Sequence, residues 1–416
     1  SVDKEQGIIG QEIRMIEDDP ENQVYYAMLE GLYAHHPIRV SVAGTIESIS
    51  HITADTLYAC HKAFYVPSNM VLTVAGCGGG GNSSSTGSES SSTPEGGEEV
   101  KFSSAMVTDV GGVNDQSFNQ SAWEGLQTAQ KDMGIEVKYI ESKQEAEYGP
   151  NLEILADEGH DLIWGVGFML QSAVMDAAAK NPDTMYALVD SDFGADAPKN
   201  TIGVLFRAQE PSFLVGYIAG KVTETGKVGF VGGVKGEVID QFEYGFRAGV
   251  AYAAKELGKE ITVDVQYANS FGDSGLGKSI AQKMYAEGCD IVFHAAGNVG
   301  VGVIEAAKEN DKWVIGVDQD QNHLAPDNVL TSAMKMVGKA MNIVIQDMID
   351  GKDLGGQTLV FGIKEGCAGI APTSEKNVPE DVLADTIVLE EKIVSEEIVP
   401  PYSEDTFNAF IESLAK

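Results

Sequence analysis

At 416 residues the chain is too long for one ordinary domain, and two or three are expected. Its 28 Lys and Arg stand against 63 Asp and Glu, a formal charge of −35 with no basic stripe, which argues against a nucleic-acid partner. Hydrophobic residues at 43% allow a buried core, no apolar run approaches the roughly 20 residues of a bilayer span, and four cysteines (Cys60, Cys77, Cys289, Cys367) without a CxxC pair argue against a disulfide scaffold or a zinc site.

Taken in chain order, residues 1–76 form a short front piece, expected to be a small α+β fragment. Residues 77–100, CGGGGNSSSTGSESSSTPEGGEEV, contain 14 Gly or Ser and no aromatic residue. Such a segment cannot bury enough apolar surface to offset its ordering entropy and is expected to be a flexible linker. From residue 101 onward short apolar runs alternate with amphipathic stretches. The predicted strands are FSSAMVTD (102–109), EVKYIES (136–142), DLIWGVG (161–167), MYALVD (185–190), NTIGVLF (200–206), KVGFVGG (227–233), TVDVQYANSF (262–271), DIVFHAAG (290–297) and WVIGVD (313–318). Helical patterns such as SAWEGLQTAQKDMG and DQFEYGFRAGVAYAAKELG lie between them. Near-continuous apolar strands alternating with helices predict an α/β fold of parallel sheets flanked by helices. The body is larger than one such sheet needs, so two lobes are expected: residues 101–206 with 328–355, and 207–327 with 356–416.

Open α/β sheets bind ligands beyond the carboxyl ends of their strands. Those positions supply Asp109, Asp115 and Phe118 after the first strand, then Asp190, Phe271, Gly297 and Asp318, with Lys335 in the segment VLTSAMKM. Aromatics, carboxylates, one lysine and a close-approach glycine suit a flat ring carrying a polyhydroxyl group. Each residue alone also has a structural reading, an Asp after a strand as a helix cap and a Phe as core.

The stretch VTDVGGVNDQSFNQSAWEGL, with GFRAGV, FHAAGNVG, IGVDQDQ and LTSAMK, resembles the basic membrane protein family of lipoproteins over roughly residues 101 to 416. The resemblance implies a two-lobed periplasmic-binding-protein fold (type I), no catalysis and no cofactor. It implies a substrate-binding protein of an ABC importer that delivers a purine nucleoside to the permease. Phe118 and Phe271 would sandwich the base, Asp109 and Asp190 would read its edge, and Gly297, Asp318 and Lys335 would hold the ribose. A monomer is expected. Val74-Ala75-Gly76-Cys77 matches a lipobox, which implies a lipid anchor on Cys77 and a location outside the cytoplasmic membrane. The preceding residues, AFYVPSNMVLTVAG, lack the basic and long apolar regions of an export signal, so no intact signal peptide is expected in this chain.

Residues 1–76 instead resemble the insulinase-like M16 metallopeptidases, through EQGIIGQEIRMIEDDP and HHPIRVSVAGTIESISHITADTLYACHKAFYVPSNMVLTVAG. Glu12 would match the third zinc ligand and Glu5 an acidic partner, but the HxxEH helix is absent from the chain, and His35 and His36 precede a proline and read as loop. An inactive fragment that holds no metal is therefore expected. One alternative function remains. GDSGLGKS at residues 272–279 fits GxxxxGK[ST] between a predicted strand and a helix, where Lys278 and Ser279 would serve ATP phosphates and magnesium.

Overall fold

The computed structural model describes residues 44–64, 102–195 and 197–414, together with positions 9, 13, 24, 27, 28 and 32. Glu5, Glu12, His35, His36, Cys77 and the Gly/Ser linker lie outside the described residues. The chain divides into two compact units, Ser1–Glu95 and Gly96–Lys416. In the first, α1 (Ile46–Ser50) and α2 (Ala54–Phe64) are described. Thr45 opens α1 through a capping box, its Oγ1 accepting from Ser48 N at 3.1 Å while its own N donates to Ser48 Oγ at 2.8 Å.

The second unit is built on two six-stranded sheets. The first contains β1 (Ser103–Thr108), β2 (Glu136–Ile140), β3 (Leu162–Val166), β4 (Met185–Val189), β5 (Thr201–Phe206) and β11 (Thr358–Phe361), in the order β11-β5-β4-β3-β1-β2, every pair parallel. The second contains β6 (Lys227–Gly232), β7 (Thr262–Tyr267), β8 (Ile291–Ala295), β9 (Trp313–Asp318), β10 (Val329–Lys335) and β12 (Ala368–Ile370), in the order β12-β10-β9-β8-β6-β7. Only β12 is antiparallel to its neighbour. Central strands such as β3 and β8 are buried at every position, because helices cover both faces.

The first sheet is flanked by α3 (Phe118–Met133), α4 (Tyr148–Asp157) and α5 (Gln171–Lys180). The second is flanked by α6 (Gln209–Val222), α7 (Glu237–Leu257), α8 (Ser274–Ala286) and α9 (Asn298–Asn310). The chain then forms α10 (Val337–Ile349), α11 (Glu380–Val394) and α12 (Glu404–Leu414).

The nine predicted strands all form, but the later two expected lobe boundaries, at 327/328 and 355/356, differ from the strand pairing. β10, assigned to the first lobe, pairs in parallel with β9 of the second sheet, and β11, assigned to the second, pairs with β5 of the first. The chain returns only after β10, when α10 packs on α3. A Cβ on Gly125 would lie 2.2 Å from Gly338 Cα, so these two helices meet backbone to backbone. The chain therefore crosses between lobes three times, after β5, after β10 and after β11. Residues 326–328 form a turn that leads straight into β10, so no change of lobe occurs there. Cys289 and Cys367 are buried free thiols.

Candidate functional site

The carboxyl ends of both sheets face one cleft between the lobes, which encloses about 520 Å3 of space counted out to open solvent. All eight residues expected at a ligand site line it: Asp109, Asp115, Phe118, Asp190, Phe271, Gly297, Asp318 and Lys335. Asp109 and Asp190 directly follow β1 and β4, while Asp318 and Lys335 end β9 and β10. Asp190 and Asp318 hold left-handed backbone (φ 65° and 62°), a conformation that acidic residues tolerate and that recurs where a side chain is aimed at a site. Gly297 opens α9 with φ 55° and ψ −131°, a region closed to other residues, and a Cβ there would meet Phe271 O at 3.3 Å.

The carboxylates are not equivalent. Asp115 Oδ1 accepts from Ser117 N and Gln120 N at 3.0 and 3.1 Å, and its Oδ2 accepts from Asn119 N and Nδ2 at 2.9 and 3.1 Å. Both oxygens are spent on the start of α3, so Asp115 lines the cleft as a helix cap. Asp109 Oδ1 accepts from Gly111 N and Asn119 Nδ2, each at 2.8 Å. Burial nevertheless dominates and pushes its carboxyl up to about 6. Asp318 Oδ2 accepts from Ser117 Oγ at 2.5 Å while its Oδ1 is buried without a partner. Burial likewise lifts Asp318 to about 6, against the opposing pull of Lys335.

Asp190 and Lys335 form a buried ion pair at 2.5 Å that joins the two lobes. Asp190, expected at the base edge, and Lys335, expected at the ribose, therefore stand side by side as one pair. Lys335 Nζ also lies 4.5 Å from the Phe118 ring centre and within 5.5 Å of those of Phe206 and Phe242.

Phe118 begins α3 in the first lobe, and Phe271 sits in the loop after β7 in the second. Phe168 meets Phe271 edge-on at 6.3 Å, which closes an aromatic wall across the lobes. More bonds cross the cleft: Gln319 Nε2 donates to Ser117 O at 3.0 Å and Gln321 Nε2 to Gln116 O at 2.8 Å. Asn119, Phe168 and Phe242 also line the cleft and were not singled out from sequence. Phe168 follows the end of β3, where the strand-end rule could have found it; Phe242 lies in the apolar stripe of α7 and carried no such signal.

The phosphate-loop alternative is overturned. Residues 274–279 are already helical, Leu276 N is held by Asp273 Oδ1 at 2.9 Å, and Ser279 Oγ donates to Gly275 O. Lys278 Nζ points to Glu305 and Glu309 at 3.0 and 2.8 Å, so neither the amide nest nor the cation faces a phosphate. No group of three or more His, Cys, Asp or Glu among the described residues is placed to hold a metal ion.

Residues 102–404 match the family model described as ABC transporter substrate-binding protein PnrA-like. The chain is 40% identical over 320 residues to Basic membrane protein A of Borreliella burgdorferi, covering 76% of this chain and 92% of that one. It is 40% identical over 321 residues to a CD4+ T-cell-stimulating antigen of Listeria innocua, covering 72% and 88%. Among solved structures, a solute-binding protein of an ABC transporter system from Aeropyrum pernix K1 is 29% identical with a TM-score of 0.68, covering 76% of this chain and 97% of that one. A counterpart from Conexibacter woesei, 22% identical with a TM-score of 0.60 and covering 73% and 100%, shares the fold. The fold is thus of the α/β periplasmic-binding-protein kind. The insulinase-like resemblance of residues 1–76 gains no support from these comparisons, the family match beginning only at residue 102.

Proposed function

Because the chain belongs to the PnrA-like family of ABC-transporter substrate-binding proteins, a non-catalytic family, we propose that its solute is a purine nucleoside captured between the lobes of a type I binding-protein fold. The observation that carries this reading is the pairing of an aromatic wall from both lobes with carboxylates and one lysine in a single closed cleft. A flat base would lie among Phe118, Phe168 and Phe271, where stacking contributes ~1–3 kcal/mol per base. The ribose hydroxyls would donate to Asp318, whose Oδ1 otherwise has no partner, and meet the Asp190–Lys335 pair. The roles of Asp109 and Gln319 differ accordingly: one faces the ligand, the other ties the lobes.

In this proposal the loaded receptor docks on the permease of an importer as a monomer, held at the outer face of the cytoplasmic membrane by a lipid on Cys77, with residues 77–100 as its leash. Neither nucleic acid nor metal takes part, and residues 1–76 contribute no peptidase chemistry. Thermal-shift and calorimetric titration with guanosine, inosine, adenosine, ribose and other simple sugars tests the ligand class, since a ligand of the native state raises its melting point. Stabilisation by sugars alone, with no nucleoside response, would overturn it. Mass spectrometry of natively expressed protein reports on Cys77, and an unmodified thiol in the cytosolic fraction would remove the anchor.

A further inference from the structure

Among the polar side chains that the first lobe contributes to the cleft, Asp109 and Asn119 keep acceptor oxygens without a hydrogen-bond partner. Asn119 spends its two amide hydrogens on Asp109 Oδ1 at 2.8 Å and Asp115 Oδ2 at 3.1 Å, and its own Oδ1 is buried without a partner. That orientation follows from chemistry, because the reversed amide would turn its carbonyl toward two carboxylates. Asp109 Oδ1 is occupied by Gly111 N and Asn119. Its Oδ2 lies beside the bare face of Gly167: the point where a side chain on Gly167 would begin is 3.1 Å from Asp109 Oδ2 and 3.5 Å from Phe118 Cε1. A carboxylate oxygen thus borders the ring on which a base would stack, and a second unpartnered acceptor belongs to the next residue along α3.

Resting on the nucleoside reading, we propose that this acceptor-only edge, Asp109 with Asn119, makes the protein selective for 6-oxopurine nucleosides, guanosine foremost, over adenosine. Guanine presents N1–H and an exocyclic N2–H side by side, a donor pair that two acceptors, Asp109 Oδ2 and Asn119 Oδ1, would share between them. Hypoxanthine presents N1–H alone. Adenine presents one amino donor beside the N1 lone pair, which would face acceptor oxygens and remain buried without a partner, a ~10- to 100-fold loss. The inversion of this logic is a protonated Asp109, which offers a donor to adenine N1, and burial already holds that carboxyl at about 6. The groups around it are Asp115 on the same loop, Asp190 after β4, Tyr148 of α4 and, from the opposing lobe, Asp318 and Lys335. Asp318 titrates in the same range, but it serves the ribose common to both nucleosides and cancels in their affinity ratio.

The test is calorimetry on the full chain with guanosine, inosine and adenosine at pH 8 and pH 5.5. At pH 8 guanosine should bind ~10- to 100-fold more tightly than adenosine, with inosine between them. The ratio should shrink at pH 5.5, and in Asp109→Asn, whose amide offers one donor and one acceptor, it should shrink or reverse at pH 8. The pH series on the unaltered protein carries the test should that variant not fold. Equal affinities at pH 8, or a ratio that neither pH nor Asp109→Asn moves, overturn the selectivity while leaving the nucleoside reading standing. Absence of binding by all three nucleosides refutes that reading and this one with it.

Discussion

Lys335→Met is the most informative single perturbation of the cleft. Lys335 is the only cation among the described residues that line it, set against Asp109, Asp115, Asp190 and Asp318. Its Nζ sits 2.5 Å from Asp190, and both side chains are nearly inaccessible. Breaking a buried pair by removing one partner costs ~3–5 kcal/mol, and the low end applies where a cleft can admit water. Lys335 ends β10 of the second lobe and Asp190 follows β4 of the first, so the loss falls on lobe closure rather than on either core. About 3 kcal/mol corresponds to a ~100-fold weaker nucleoside affinity, with little change in melting temperature without ligand. The double variant Lys335→Met/Asp190→Asn removes the stranded charge and should recover part of that loss, which a lysine acting solely through its own ligand contact would not allow. Calorimetry gives the affinities, and small-angle scattering gives the fraction closed. Wild-type affinity in Lys335→Met, or no recovery in the double variant, refutes the reasoning.

Phe118→Ala and Phe271→Ala should each weaken nucleoside binding ~5- to 150-fold while the fold persists; calorimetry showing unchanged affinity in both removes the stacking role. Asp115→Ala should behave oppositely, lowering stability by ~0.5–2 kcal/mol in a denaturation series through loss of the α3 cap, with a smaller effect on affinity. For Asp318 the sign of the pH effect is set by its raised carboxyl, about 6 when buried against the 3.8 of a solvated group. Between these values the closed, buried form holds more protons than an open form with the carboxyl hydrated, so the group favours closure at low pH and that contribution is lost as pH rises through about 6. The fraction closed without ligand, read by small-angle scattering, should diverge in favour of Asp318→Asn over wild type from pH 4 to pH 7, by up to ~3 kcal/mol, and a constant difference would contradict the burial argument.

The strand-end rule made the site legible because parallel sheets deliver their carboxyl ends to one edge whatever the order of strands. Asp109, Asp190, Gly297 and Asp318 could each be read from an apolar run that stops abruptly. What could not be read was pairing. β10, VLTSAMK, has the same buried character as the strands before it, and nothing in its residues says which sheet it joins. β11 and β12 span four and three residues, too short for a periodic signal to rise above their loops. The contact between Gly125 and Gly338 that returns α10 to the first lobe depends on two small residues more than 200 positions apart. The dual use of the carboxylates was hidden for the same reason. Asp115 and Asp109 differ by six positions and by which backbone amides reach them, which only the three-dimensional turn before α3 decides.

The residues that would touch a ligand are also those that join the lobes. Ser117 precedes Phe118, and it both donates to Asp318 and accepts from Gln319 across the cleft. Gln116 accepts from Gln321 in the same loop, and Lys335 reaches Asp190 between the aromatic rings. Every one of these bonds requires the lobes to be closed, and most place a polar group where water would otherwise solvate it. In an open form the same carboxylates would be hydrated, so their burial opposes closure while the inter-lobe bonds favour it. A solute that filled the unpartnered Asp318 Oδ1 and Asn119 Oδ1 would tip that balance by satisfying acceptors which closure alone leaves unmet. On the proposed reading, recognition and closure would be one equilibrium, because the loop from Asp115 to Asn119 caps α3, supplies half of the latch and would also be the stacking platform.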